Sequence, residues 1–185
     1  MTFDATNRLV DLQANFLASG TTSMPIAGTI YWLIVCIASL YLPLNTVAFI
    51  VLIGSGMILP GGFLIDKLRG LDKRKPDSKG NPLLPMFLKG TAVVVLLWPL
   101  VILAAQAAKD PNIIVLGGAV LMALVWIPYG SAADDPVGMQ HAVGRPLACY
   151  AAYLFAPTPY VATAIGAVVV VSYLYTFARM KRGTV

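Results

Sequence analysis

The sequence predicts an all-α polytopic membrane bundle: six transmembrane helices behind a short N-terminal interfacial amphipathic helix. Three observations predict it. Of the 185 residues, 58% are hydrophobic and only 11% are charged, whereas a soluble domain carries about 25% charged residues. The apolar residues gather into runs close to the roughly 20 residues that cross a hydrocarbon core. The runs are continuous rather than alternating, so they read as helices and not as barrel strands.

The composition also excludes function classes. A soluble enzyme, a disordered chain and a disulfide scaffold do not fit it. All eight acids are Asp, and there is one His and two Cys. Cys36 and Cys149 lie in apolar stretches and read as small packing residues. No Cys or His spacing marks a metal or redox centre, so no metal, cofactor or catalytic set is assigned from the sequence. Net charge is +5, yet no folded platform for nucleic acid is visible.

Residues 1–23 come first. Asp4 and Asp11 interrupt them, and the basic start and apolar core of a signal peptide are missing. Leu9, Leu12 and Phe16 share one helical face, with Asp4, Arg8 and Asp11 on the other. This predicts a helix lying on the cytoplasmic membrane surface. A docking helix for a partner is the alternative.

Residues 24–178 read as one six-helix transmembrane domain. The expected spans are Met24–Leu42, Thr46–Ile65, Met86–Ala108, Ile113–Tyr129, Val143–Ala156 and Tyr160–Phe177. The fifth is short and has Arg145 at its start. Tight links at Pro43–Asn45, Lys109–Asn112 and Pro157–Pro159 force antiparallel neighbours. Two longer links, Asp66–Pro85 and Gly130–Ala142, read as loops on one side of the membrane.

Charge decides that side. Arg8, Lys67, Arg69, Lys73, Arg74, Lys75, Lys79, Lys89, Arg179, Lys181 and Arg182 fall on one face, and Lys109 on the other. Short basic loops stay cytoplasmic. Both termini, including the basic tail 179–185, are therefore predicted to be cytoplasmic, and the compartment to be a bacterial inner membrane. The basic loop would also attract anionic lipids.

These boundaries leave no ionisable residue near the middle of a span, which weakens a proton-relay reading. Two other constellations stand out. Gly54-Ser55-Gly56 and Pro60-Gly61-Gly62 lie in the second span, where proline removes a backbone bond and glycine permits close approach. This predicts a kinked helix and a candidate cavity at Ser55, Gly56, Pro60 and Trp98. Two inverted three-helix halves would suit it, although no residue-by-residue repeat is evident. The second constellation is Asp134, Asp135, His141 and Arg145, a candidate lipid or polar site. His141 and Arg145 are four apart and share a face if helical. Trp126, Tyr129, Tyr173, Tyr175 and Phe177 read as an interfacial aromatic belt. Ala148/Ala152 and Ala162/Gly166 are small pairs suited to close helix contact.

Several short runs then suggest a relationship. Gly28-Thr29-Ile30-Tyr31-Trp32-Leu33-Ile34 opens the first span, and Ile58-Leu59-Pro60-Gly61-Gly62 lies in the second. Lys79-Gly80-Asn81-Pro82-Leu83 precedes the third, and Pro128-Tyr129-Gly130 ends the fourth. The chain resembles a family of small uncharacterised bacterial six-span integral membrane proteins, a domain of unknown function. The resemblance implies six spans and no activity, and it draws attention to Asn81, Pro82 and Tyr129.

The leading functional expectation is a non-enzymatic multi-pass protein, an accessory subunit or lipid-associated scaffold. The alternative is a small transporter or channel for a neutral or weakly polar solute, using the kinked second helix. A membrane-surface enzyme using Asp134, Asp135 and His141 ranks third. Expected partners are the bilayer, with anionic lipids at its cytoplasmic face, and either a second copy or another membrane protein. The sequence names no cofactor.

Overall fold

The computed structural model describes residues 8–71 and 76–182. Asp4, the basic-loop residues Lys73, Arg74 and Lys75, and tail residues 183–185 lie outside that set. Among the described residues there are helices and no strands. In chain order they are α1 (Leu9–Ser19), α2 (Met24–Tyr41), α3 (Leu44–Gly54), a 3-10 turn (Ser55–Met57) and α4 (Ile58–Leu68). Then come α5 (Leu83–Val95), α6 (Trp98–Ala108), α7 (Asn112–Leu124), α8 (Trp126–Ala133), α9 (Pro136–Phe155) and α10 (Val161–Arg179).

Proline sets three of the helix breaks. Its ring nitrogen cannot donate to the carbonyl four residues earlier, and the ring crowds that carbonyl. Pro60 leaves the carbonyl of Gly56 without its usual donor, and the 3-10 turn between α3 and α4 sits there. Pro99 does the same for Val95, where α5 ends, and Pro128 for Leu124, where α7 ends. Leu44–Leu68, Leu83–Ala108 and Asn112–Ala133 each count as one stretch long and apolar enough to cross a membrane, as do Met24–Tyr41 and Val161–Arg179. The second span is therefore interrupted at Ser55–Met57, within the Gly54–Gly62 stretch where a kink was expected.

Large apolar side chains face outward, among them Leu100, Leu103, Leu154 and Phe155. Water would not tolerate so extensive an apolar surface. With the five apolar helical stretches, this is the outside of a helical membrane protein.

The fifth expected span needs correction. Residues 143–156 are not a separate short helix, and Gly130–Ala142 is not a loop. Helix α9 begins at Pro136 and runs 20 residues, about 30 Å. Only Asp134 and Asp135 separate it from α8. Asp134 takes a left-handed conformation (φ 50°), which makes the reversal. Gly130 and Gly138 then meet backbone to backbone, and a Cβ on either would overlap the other. His141 and Arg145 consequently stand inside a helix, with Arg145 near its middle. The expectation that no span has a central ionisable residue fails if α9 is a span. Among the described residues, five stretches meet the apolar criterion, and α9 is not one of them.

Helix α9 nonetheless runs the full height of the bundle. At its start, the Lys181 amide donates to Asp135 Oδ2 at 2.7 Å, just past the end of α10. At its finish, the Tyr153 hydroxyl donates to Asp110 Oδ2 at 2.8 Å, in the link between α6 and α7. Helix α10 packs on α2 and α9, while α7 contacts α3, α6 and α9.

Helix α1 docks at the end of the bundle that holds the α9 start. Phe16 is buried against Phe87 and Tyr129, with ring centroids 5.9 and 6.1 Å away. Asn81 Nδ2 donates to the Leu12 carbonyl and to Asn15 Oδ1, both at 2.9 Å. Leu12 packs on the core, but Leu9 does not share its burial and is 59% exposed. The same end holds a buried tie between α2 and α4, where Ser23 Oγ donates to Asp66 Oδ1 at 2.5 Å.

Candidate functional site

Helices α9 and α10 diverge enough to leave a groove of about 670 Å³ on the side of the bundle. Small residues open it: Gly144 and Ala148 on α9, and Ala167 on α10. Val168 and Val171 give it apolar walls, and His141 and Arg145 supply its deeper polar lining. The four-residue spacing of His141 and Arg145 puts both on the buried face of α9, together with Gly138, Ala142 and Cys149.

Both polar side chains are 2% exposed. The Thr176 hydroxyl donates to the Ser172 carbonyl at 2.8 Å. Its oxygen lies 2.6 Å from His141 Nδ1. Where the Thr176 hydrogen stays on the Ser172 carbonyl, Nδ1 is the donor and carries the imidazole hydrogen. Nε2 then presents a lone pair, and it has no partner among the described residues. Arg145 has none for Nε or for either terminal nitrogen.

An aromatic layer backs this pair. The Arg145 guanidinium lies 5.0 Å from the centroid of the Tyr173 ring. His141 stacks at 4.7 Å from Trp126 and 5.3 Å from Tyr173. A desolvated cation on an aromatic face gains about 2 kcal/mol. Burying a charge costs several kcal/mol even after relaxation. Stacking alone therefore does not offset the burial of Arg145. Chemically, a fork of charged donors and one ring nitrogen lie sealed just beneath the groove wall, and a ligand reaches them by parting the α9–α10 side chains.

The four residues of the expected polar site separate into two pairs. Asp135 caps α9 by accepting from the Val137 amide at 3.0 Å, as acidic N-caps do. Asp134 forms an ion pair with Lys181 at 3.3 Å. Both line a different surface pocket, with Ser131 and Met139, and neither lines the groove. An acid–base set of Asp134, Asp135 and His141 is not assembled.

The expected cavity is partly assembled. Ser55 and Gly56 line a space of about 160 Å³ with Phe87, Trp126 and Tyr173. Pro60 does not reach it and is exposed. Trp98 packs instead over Gly118, where an added Cβ would meet its ring at 3.2 Å. Ser55 Oγ donates to the Val51 carbonyl at 2.6 Å, so its hydrogen is already used. Among the described residues, no group of three or more His, Cys, Asp or Glu could hold a metal.

The aromatic belt also needs correction. Trp126, Tyr129 and Tyr173 are buried, at 1%, 8% and 2% exposure. They turn inward toward neighbouring helices, while Tyr175 is exposed and donates to Gln140 Oε1 at 2.8 Å. Sequence reasoning missed Trp126, Tyr173 and Thr176 as neighbours of His141. One signal was available: Gly28 is small because the Tyr173 ring lies against it. Of the small pairs, Gly166 packs on Cys36 of α2, and Ala162 is buried. Ala148 faces the groove.

No curated protein and no solved structure matches the chain. The pattern of the Family of unknown function (DUF7010) matches residues 11–181. The chain belongs to that family, in keeping with the resemblance read from its short apolar motifs.

Proposed function

We propose that this is a six-span bacterial inner-membrane protein that works without catalysis, as a lipid-associated scaffold or accessory subunit. Helix α9 supplies the sixth span. Its length and its ties at both ends of the bundle support that reading. Arg8, Lys67, Arg69, Lys79, Arg179, Lys181 and Arg182 gather toward one end and Lys109 toward the other, which favours cytoplasmic termini. Helix α1 then lies at the cytoplasmic interface. Phe16 anchors it, and Leu9 and Val10 are exposed toward the headgroups.

The observation that carries the reading is the α9–α10 groove, with apolar walls on a lipid-facing flank. The test is lipid retention after gentle extraction, measured by native mass spectrometry. Replacing Ala148 by Leu fills the groove, and it should lower the bound lipid by about one molecule per chain. Equal retention in both proteins would count against the groove as the lipid site.

A second reading has its own observation. The 3-10 turn at Ser55–Met57 borders a half-open pocket, which suits passage of a small neutral or weakly polar solute. A Cβ at Gly56 would meet nothing within 4 Å, so Gly56→Leu should fold and narrow the pocket that Gly56 lines. A transporter would lose flux in liposomes, and unchanged flux would remove this reading.

A further inference from the structure

We infer that the α9–α10 groove binds a phosphate monoester headgroup of a membrane amphiphile, held by Arg145 and His141. The inference rests on the lipid-associated reading and adds the chemistry of the head.

Arg145 demands an anion. Its guanidinium cannot give up its proton, and it presents paired donors suited to two oxygens of one head. It is 2% exposed, and its three nitrogens lack hydrogen-bond partners among the described residues. The residue that shares the groove narrows the choice. In the tautomer that pairs an Nδ1 hydrogen with the Thr176 oxygen, Nε2 accepts. A carboxylate gives Arg145 its acceptors but brings no donor for Nε2. A phosphodiester has no hydroxyl on its phosphorus and can answer Nε2 only with a group farther along its head. A phosphate monoester in its singly protonated form has both: charged oxygens for the fork and a hydroxyl for the imidazole.

The walls say where that phosphate comes from. Arg145 stands nine residues into α9, about 14 Å along the helix axis. Gln140 and Tyr175 line the end of the groove nearest the α9 start, joined by a hydrogen bond of 2.8 Å. Gly144, Ala148 and Ala167 open the groove sideways, between apolar walls. Entry is therefore from the bilayer rather than from water, and the acyl chain lies along Ala148 and Val168.

The test titrates delipidated protein with defined ligands and reads binding by native mass spectrometry. The ligands are phosphatidic acid, phosphatidylglycerol, phosphatidylcholine, oleate and inorganic phosphate. Phosphatidic acid should bind one per chain and most tightly. Arg145→Gln should weaken it about tenfold or more. His141→Phe keeps a ring but removes the acceptor, so it should erase the preference for phosphatidic acid over phosphatidylglycerol while leaving anion binding. Ala148→Leu leaves Arg145 and the core untouched, and it should block every lipid; this variant keeps the test decisive if Arg145→Gln misfolds.

Equal binding of all three phospholipids to the wild type would overturn the inference. So would oleate as the preferred ligand, or inorganic phosphate binding as tightly as the amphiphile. A protein that co-purifies with the wild type and is lost with Arg145→Gln would assign the arginine to a partner chain and overturn it too. If Ala148→Leu removes lipid while Arg145→Gln changes nothing, the headgroup inference fails and the lipid-associated reading stands. If neither changes bound lipid, both fail.

Discussion

Tyr173 lies between Gly28 and Arg145. Its ring fills the space where Gly28 lacks a side chain, and the Arg145 guanidinium lies 5.0 Å from its centroid. A glycine on α2 thus sets the position of a cation on α9 through an aromatic ring on α10. The first prediction follows from this stack.

Gly28→Ala should destabilise the protein. Alanine is the better helix former by about 1 kcal/mol, so propensity alone favours the variant. Overpacking a closed core costs about 1–3 kcal/mol, and the new Cβ would overlap the Tyr173 ring. Packing should win. Thermal unfolding in detergent should show a lower midpoint, with altered Trp fluorescence because Trp126 lies 6.3 Å from Tyr173. Gly56→Ala is the control. Its Cβ meets nothing within 4 Å, and its midpoint should hold or rise.

Thr176→Val keeps the shape and removes the hydroxyl between His141 and Ser172. The buried Nδ1 hydrogen would lose its acceptor, at a cost of about 1–3 kcal/mol. Thr176→Ser retains the oxygen and should lose much less. Paired unfolding curves check the difference. Nitrogen NMR of labelled histidine should also show the tautomer shifting in the Val variant alone.

Asn81→Ala should release α1. Asn81 Nδ2 donates twice to α1, and its Oδ1 accepts from the Leu83 amide at 3.0 Å. Losing these contacts should cost about 1–2 kcal/mol and leave the spans folded. Limited proteolysis should then cut sooner near Ser19 and Gly20, with little change in the global unfolding midpoint. An unchanged cutting rate would show that Phe16 alone holds the helix.

Much of this architecture was legible because lipid imposes a simple rule on composition. Runs such as those beginning at Met24 and Leu83 are apolar around the whole helix, so length and hydropathy reveal them. The first turns of helix α9 escaped that reading, although the later part was read as a short span. Its polar residues His141 and Arg145 lower the hydropathy, and they look like a loop edge when burial is unknown. Gly138 looked like a loop residue, yet it packs against Gly130. The level of Trp126 and Tyr173 along the helices could be read, but not the direction in which they point. Asp134 and Asp135 resembled a site, although local capping and chain reversal account for them. His141 and Arg145 were visible as a pair four residues apart. The groove was not, because Ala167 and Val171 come from α10 and no spacing within α9 reveals them.

The depth of Arg145 in the bilayer follows from α9 crossing it as a full span. Labelling of single cysteines in intact cells tests this directly. In a background with Cys36 and Cys149 replaced by Ala, Ser131→Cys marks the chain before α9 and Thr158→Cys the chain after it. An impermeant maleimide should label position 158 in intact cells, and position 131 only after the membrane is opened. Labelling of both positions from the same side would contradict a membrane-crossing α9.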